Sequence, residues 1–368
     1  MAFSIGGGIT IGGGISLTPI FSAASVPSFN GFTTPAVMGG SATATQMTAV
    51  TWSSSLGLFV AVGSEGATGG GAPVYATSSN GSTWTAPARM NSSATATSIY
   101  GISWSPSLNL FVAVGVISAS GLPAYATSSN GTTWTTPAAM PGSTPVNMYS
   151  VTWSSALNLF VAVGYDGNDF GYYSTSSNGS TWSTPAEMVS ALLFDVNSIT
   201  VNSSGRFAAV GDGNFGSSVI TTSTDGSTWS LIFPGTTVNL NGVTVNSSDL
   251  FVAVGWFNTG NTGAPAYATS TNGTSWSTPA LMNGSTTVAR MTSVVWSSTL
   301  NLFVAVGYSN TNIPRYATST DGSTWTTPAA MNGSTAVAPM YAVATNSAGL
   351  VVAVGKNASN LPAYATSN

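Results

Sequence analysis

One phrase recurs seven times along this chain. It is an apolar run closed by glycine, first as Phe59-Val60-Ala61-Val62-Gly63 and then ending at Gly115, Gly164, Gly211, Gly255, Gly307 and Gly355. The glycine numbers place the copies 44 to 52 residues apart. A short continuous apolar run bounded by turn residues is the mark of a strand buried on both faces. A repeat of this length that contains such a strand reads as a stacked unit of several strands, not as a helical repeat.

The unit from Met148 to Met188 shows the expected content. Tyr149-Ser150-Val151-Thr152-Trp153 alternates and is rich in β-formers, so it reads as a first strand. After a polar turn, Leu159-Phe160-Val161-Ala162-Val163 is the buried second strand, ended by Gly164. Tyr173-Ser174-Thr175-Ser176 is a third, and Asn178-Gly179 supplies a hairpin turn with cheap positive φ. The fourth strand is expected to start at Thr181-Trp182-Ser183-Thr184, with Pro185 blunting the outer edge. Four antiparallel strands per unit, seven times over, predict an all-β chain: a seven-bladed β-propeller.

The hairpin turn recurs as Ser78-Ser79-Asn80-Gly81-Ser82-Thr83-Trp84 and in copies ending at Trp134, Trp182, Trp229, Trp276 and Trp325. Asp replaces Asn at Asp225 and Asp321. This phrase resembles the Asp-box (BNR repeat) of sialidase-type propellers, sortilin-type receptors and photosystem assembly factors, one residue shorter here. The resemblance implies a structural fastener placed away from the ligand face.

The seventh unit stops after its third strand, Tyr364-Ala365-Thr366. Asn30-Gly31-Phe32-Thr33-Thr34-Pro35-Ala36-Val37-Met38 matches the outer-strand phrase Trp134 to Met140, with Phe32 in the tryptophan's place. Residues 32–38 are therefore expected to complete blade seven, leaving no open blade. The domain reading is an Ile/Gly-rich anchor strand at 1–20, a linker at 21–28 and the propeller at 29–368.

Within the anchor, Phe3, Ile5, Ile9, Ile11, Ile15 and Leu17 occupy odd positions, and Ser, Thr or Gly fill the even ones. Such alternation makes one apolar face, and a lone strand of this kind is unstable in water. It is expected to dock on a partner or sister chain by strand addition. The alternative is a flexible glycine-rich tail. The Ile-Gly-Gly-Gly-Ile start resembles the N-termini of some tailed-phage structural proteins.

Composition narrows function mainly by exclusion. Charged residues make up 4% of the chain, against roughly 25% in ordinary domains. Five bases cannot neutralise a phosphate backbone, so nucleic acid is not an expected partner. No apolar run is long enough for membrane insertion by a helix, and the N-terminus does not read as a signal peptide. Without Cys or His there is no thiol or imidazole catalysis and no zinc site of the usual kind. No cofactor is implied.

Function is expected on the connections between second and third strands, which differ most among the copies. They carry Tyr165, Asp166, Asp169, Phe170, Trp256, Phe257, Tyr308, Arg315 and Lys356, the candidate ligand-binding residues. Trp256 belongs neither to the turn tryptophans nor to those that end first strands. It reads either as an exposed platform for a sugar or protein, or as packing in blade five. Asp166 and Asp169 flank Gly167-Asn168 and read as a polar turn, with Ca²⁺ binding or glycosidase chemistry as alternatives. The sequence lacks the arginine triad and Tyr/Glu pair of a sialidase, so no enzymatic activity is expected. The leading expectation is a non-enzymatic virion structural protein: a fibre, appendage or decoration protein. It would be anchored to the virion or to sister chains by residues 1–20 and bind a host-surface glycan or protein. The alternative is a free lectin or adhesin, extracellular or at a cell surface. An assembly scaffold or a glycoside hydrolase follows behind.

Overall fold

The structure is a computed structural model that describes residues 10–11, 15–16, 27–41, 43, 45–66, 71–92, 97–189, 192, 194–213, 217–235, 237–258, 263–285 and 288–367. Seven four-stranded antiparallel sheets form a ring of blades. Blade 3 is representative: Asn147–Ser154, Leu159–Tyr165, Gly171–Ser176 and Ala186–Glu187 pair in that order from the channel outwards. First strands of adjacent blades pack on one another around the axis.

The second strand holds the core. Phe160, Val161, Ala162 and Val163 are wholly buried, as are their counterparts in the other blades. Burying one such phenylalanine contributes about 1.5–3 kcal/mol. In blades 1, 2, 3 and 6 a tryptophan near the end of the first strand covers its phenylalanine, as Trp153 does Phe160 with ring centroids 4.5 Å apart. A methionine follows the outer strand in six blades, and Met38, Met90, Met140, Met282 and Met331 are all buried.

The closing glycine has a specific cause. Gly164 pairs with Met148 beside a β-bulge that skips Tyr149. A Cβ on Gly164 would overlap the Asn147 carbonyl oxygen, and Gly63, Gly115, Gly211, Gly255, Gly307 and Gly355 each face a backbone carbonyl in or just before the first strand in the same way. The glycine is needed for close approach of two backbones, not for an unusual φ.

The hairpin turns are closed by their own side chains. Asn80 Oδ1 accepts from the backbone N–H groups of Ser82 (3.0 Å) and Thr83 (2.8 Å). Gly81 N donates to Ser78 Oγ (2.8 Å), and Trp84 Nε1 donates to Gly81 O (2.8 Å). In the Asp321 copy the N–H groups of Thr324 and Ser323 hold the carboxyl well below the usual carboxylate range.

The outer strand differs from expectation. It lies after the proline, at Ala186–Glu187, while Trp182 is buried in the turn. Ser183 replaces a ladder carbonyl there, its Oγ accepting from Thr175 N at 3.0 Å. A hydroxyl acceptor lets the chain leave the sheet before Pro185, which has no N–H to give.

Closure occurs as expected. Ala36–Val37 pairs with Pro362–Thr366 through Ala36↔Tyr364 and Val37↔Ala363. Phe32 bridges Ser367 and is 1% exposed, in edge contact with Phe29 and Tyr316.

The anchor segment is described only in part, and Phe3, Ile5, Ile9 and Leu17 lie outside the described residues. Thr10–Ile11 pairs antiparallel with Ile15–Ser16, Ile11 opposite Ile15. This corrects the expectation of one extended strand, because the chain reverses between these pairs. The intervening residues are all glycine, the type that most readily permits reversal.

Candidate functional site: the mouth of the central channel

The seven first strands surround a channel cavity of about 340 Å³. One position lines it in every blade: in six it is the residue skipped by the bulge, and in blade 4 it is the residue just before the first strand. It has two chemistries. In blades 1, 4, 5 and 6 it is Thr48, Asn197, Asn241 and Thr292. Each donates to a backbone carbonyl of the next blade: Thr48 Oγ1 to Ile99 O (2.7 Å), Asn197 Nδ2 to Leu240 O (3.2 Å), Asn241 Nδ2 to Met291 O (2.9 Å) and Thr292 Oγ1 to Met340 O (2.8 Å). These short polar side chains staple neighbouring blades at the axis.

In blades 2, 3 and 7 the same position is Tyr100, Tyr149 and Tyr341. Tyr100 stacks on Tyr149 with centroids 4.8 Å apart, and Tyr149 stacks on Tyr165 at 4.7 Å. Tyr341 meets Tyr308 edge-on at 6.2 Å. Three parallel half-buried rings thus form one wall of the mouth, and a second aromatic pair comes from blades 6 and 7. Such faces are suited to sugar rings or apolar side chains.

Carboxylates gather beside the stack. Asp212 Oδ1 accepts from Leu240 N (3.0 Å), and its Oδ2 accepts from Asn239 Nδ2 (3.0 Å). Burial, and then the charge of Asp195, push its pKa up to about 7, against the pull of those hydrogen bonds. Burial, and then Asp169, raise Asp195 to about 6. Burial also raises the tyrosine hydroxyls of Tyr149 and Tyr165, and the neighbouring carboxylates add to it. Tyr341 is pushed up to about 12 by burial and by Tyr308. The mouth over blades 2 to 4 therefore joins stacked phenol rings to an acidic margin whose charge changes near neutrality. No group of acidic side chains among the described residues is arranged to hold a metal ion.

The residues singled out from sequence have different fates. Tyr165 and Asp169 come together here, and Tyr308 joins the Tyr341 pair. Asp166 is a buried turn acceptor, its Oδ1 taking the N–H groups of Asn168 (2.9 Å) and Phe170 (3.0 Å). Phe170 packs on the blade 3 core, and Phe257 on that of blade 5. Trp256 is not the exposed platform expected as one of its two readings: it is half-buried, with the Arg290 guanidinium carbon 4.4 Å over its ring. Arg315 is half-buried on the third strand of blade 6, and Lys356 ends the second strand of blade 7. Sequence reading missed Tyr100, Tyr149, Tyr341 and Asp195. The available signal was the variation Thr, Tyr, Tyr, Asn, Asn, Thr, Tyr at one repeat position, two residues before the alternating core.

No protein-family profile and no curated protein sequence matches this chain. Solved structures do. The structure of YCF48 bound to D1 peptide superposes with a TM-score of 0.62 at 14% identity, covering 93% of this chain and 97% of the other. The BP39L lectin from Burkholderia pseudomallei gives 0.64 at 12% identity, covering 88% and 96%. YCF48 from Cyanidioschyzon merolae gives 0.60 at 14% identity, covering 90% and 99%. At such identities the likeness establishes the propeller fold, shared over nearly the whole length of each chain, and nothing more specific.

Proposed function

We propose that this chain is a non-enzymatic binding propeller of a virion, part of a fibre, appendage or decoration. Residues 1–20 attach it to the particle or to sister chains, and the channel mouth over blades 2 to 4 binds a host-surface glycan or protein. The observation that carries the binding half is the Tyr100–Tyr149–Tyr165 stack beside Asp195. Tyrosines replace interblade staples only in part of the ring, which costs interblade hydrogen bonds and supplies ring faces. The virion half draws on the alternating N-terminal segment, its resemblance to tailed-phage structural proteins, and a nearly uncharged Ser/Thr/Asn-rich surface.

The same stack supports a second reading, a free lectin or adhesin, outside any particle. The turn phrase, whose residues resemble the Asp-box, bears on fold in either reading. Catalysis forms no part of the proposal.

Binding of the purified chain to a glycan array and to host envelopes tests the mouth. Tyr149→Ala is expected to lower the binding at least tenfold while leaving the circular dichroism spectrum unchanged. Unaltered binding by that variant defeats the assignment. Incorporation of a chain lacking residues 1–20 into particles separates the two readings, since a free lectin has no particle to join.

A further inference from the structure

One seam of the ring is built differently from the other six. In six seams a third-strand tyrosine packs against the turn aromatic of the next blade. The pairs are Tyr75–Trp134, Tyr125–Trp182, Tyr173–Trp229, Tyr267–Trp325, Tyr364–Trp84 and, at the closure, Tyr316–Phe32, with centroids 5.4 to 6.2 Å apart. Between blades 4 and 5 the tyrosine's place is taken by Ile220, opposite Trp276. Trp276 is accordingly half-buried, while Trp84, Trp134, Trp182, Trp229 and Trp325 are no more than 8% exposed.

A second change falls at the same seam. The residue opening the second strand is leucine in six blades, and Leu58, Leu110, Leu159, Leu250 and Leu350 each lie over the next turn's glycine. In blade 4 it is Arg206, whose Cδ lies over Gly273 in that role. The stem does the leucine's packing and the guanidinium is carried outward. That guanidinium has no hydrogen-bond or carboxylate partner among the described residues, where the one ion pair is Arg89 with Glu65.

At this seam lies a cavity of about 360 Å³. It is lined by Arg206, Ile232 and hydroxyl side chains that include Thr224, Ser230 and Thr274. It opens on the face of the hairpin turns, opposite to the channel mouth. Its size is at the lower end of the roughly 300–1,000 Å³ range of small-ligand sites.

We propose that this seam is a second binding site, for a carboxylate-bearing monosaccharide unit, a uronic or sialic acid. A single guanidinium matches a single carboxylate in bidentate geometry. The hydroxyls match the rest of a sugar. One cation, a hydroxyl-rich wall and room beyond a bare ion select an acidic sugar over phosphate or an apolar guest. The site stands independently of the channel mouth reading.

Saturation-transfer NMR and calorimetry with glucuronic acid, N-acetylneuraminic acid and neutral glucose test it. Both acids, or one of them, are expected to bind saturably in the millimolar range, with glucose at least tenfold weaker. Arg206→Leu restores the residue found in the six sister blades, so it should fold normally and weaken the acids at least tenfold. Tyr149→Ala should leave this binding intact. Which acid binds more tightly identifies the sugar. Equal binding of the acids to wild type and Arg206→Leu overturns the proposal. So does the absence of saturable binding by either acid, or a preference for an acidic peptide over both.

Discussion

Two single residues carry the sharpest physical constraints. Gly164 sits where the bulge brings the Asn147 carbonyl against it, so any Cβ must push two paired strands apart. Gly164→Ala is expected to cost about 3 kcal/mol, at the upper end of overpacking penalties, and a shift in urea midpoint without a change in slope would register it. Asp212 carries the opposite kind of burden. Its folded pKa of about 7 exceeds the ordinary carboxylate value, which is about 4. The unfolded chain therefore loses this proton first, and stability falls as pH rises from about 4 towards 7. Asp212→Asn removes that loss. The neighbouring Asn239 can turn its amide to accept from the new side chain, since its Oδ1 has no partner among the described residues. Thermal melts should show the variant higher by about 2 °C or more at pH 8, with the gap closing near pH 5. A gap that does not depend on pH would remove the carboxyl as its cause.

At the level of strands, the ends of the chain matter most. The last blade receives its outer strand from Ala36–Val37, and with it Phe32 and Met38, both buried. A chain beginning at residue 39 loses a phenylalanine, worth about 3–5 kcal/mol. It also bares the edge of Pro362–Thr366, a template for pairing with other chains. It should form concentration-dependent oligomers by sedimentation, whereas a chain lacking only residues 1–20 should sediment as the intact propeller does. Strand patterning was legible in the sequence wherever burial was complete, as in Leu159–Tyr165. It was less legible at the outer edge. There a serine hydroxyl stands in for a backbone acceptor, and Trp182 belongs to the turn's own packing instead of to a strand.

Over the whole molecule, seven similar units are held in one ring by contacts that run around the axis. Thr48, Asn197, Asn241 and Thr292 each bind the next blade, and the closure seam is sealed by the Phe29–Phe32–Tyr316 cluster. An open array of repeats can unfold piecewise. This closed ring has no free terminal blade, so tryptophan fluorescence and circular dichroism should report one coincident transition. Separate transitions would mean that the seams couple the blades only weakly. Two places interrupt the uniform seams: the tyrosine arc at the mouth and the Ile220–Arg206 seam on the far face.

The repeat period, the buried second strands, the number of blades and the sharing of the last blade between the two ends were all readable from residue order. They depend on local pattern and on copies matching one another. The candidate sites were not readable in that way. Tyr165 and Asp169 stood out on a variable loop, but Tyr100, Tyr149 and Asp195 lie in three different blades and meet only when the ring closes. The sequence left Trp256 between an exposed platform and packing, and Arg290 from the next blade lies over its ring. Each blade's surroundings are supplied by its neighbours, so exposure, stacking and charge are properties of the assembled circle and not of any one repeat.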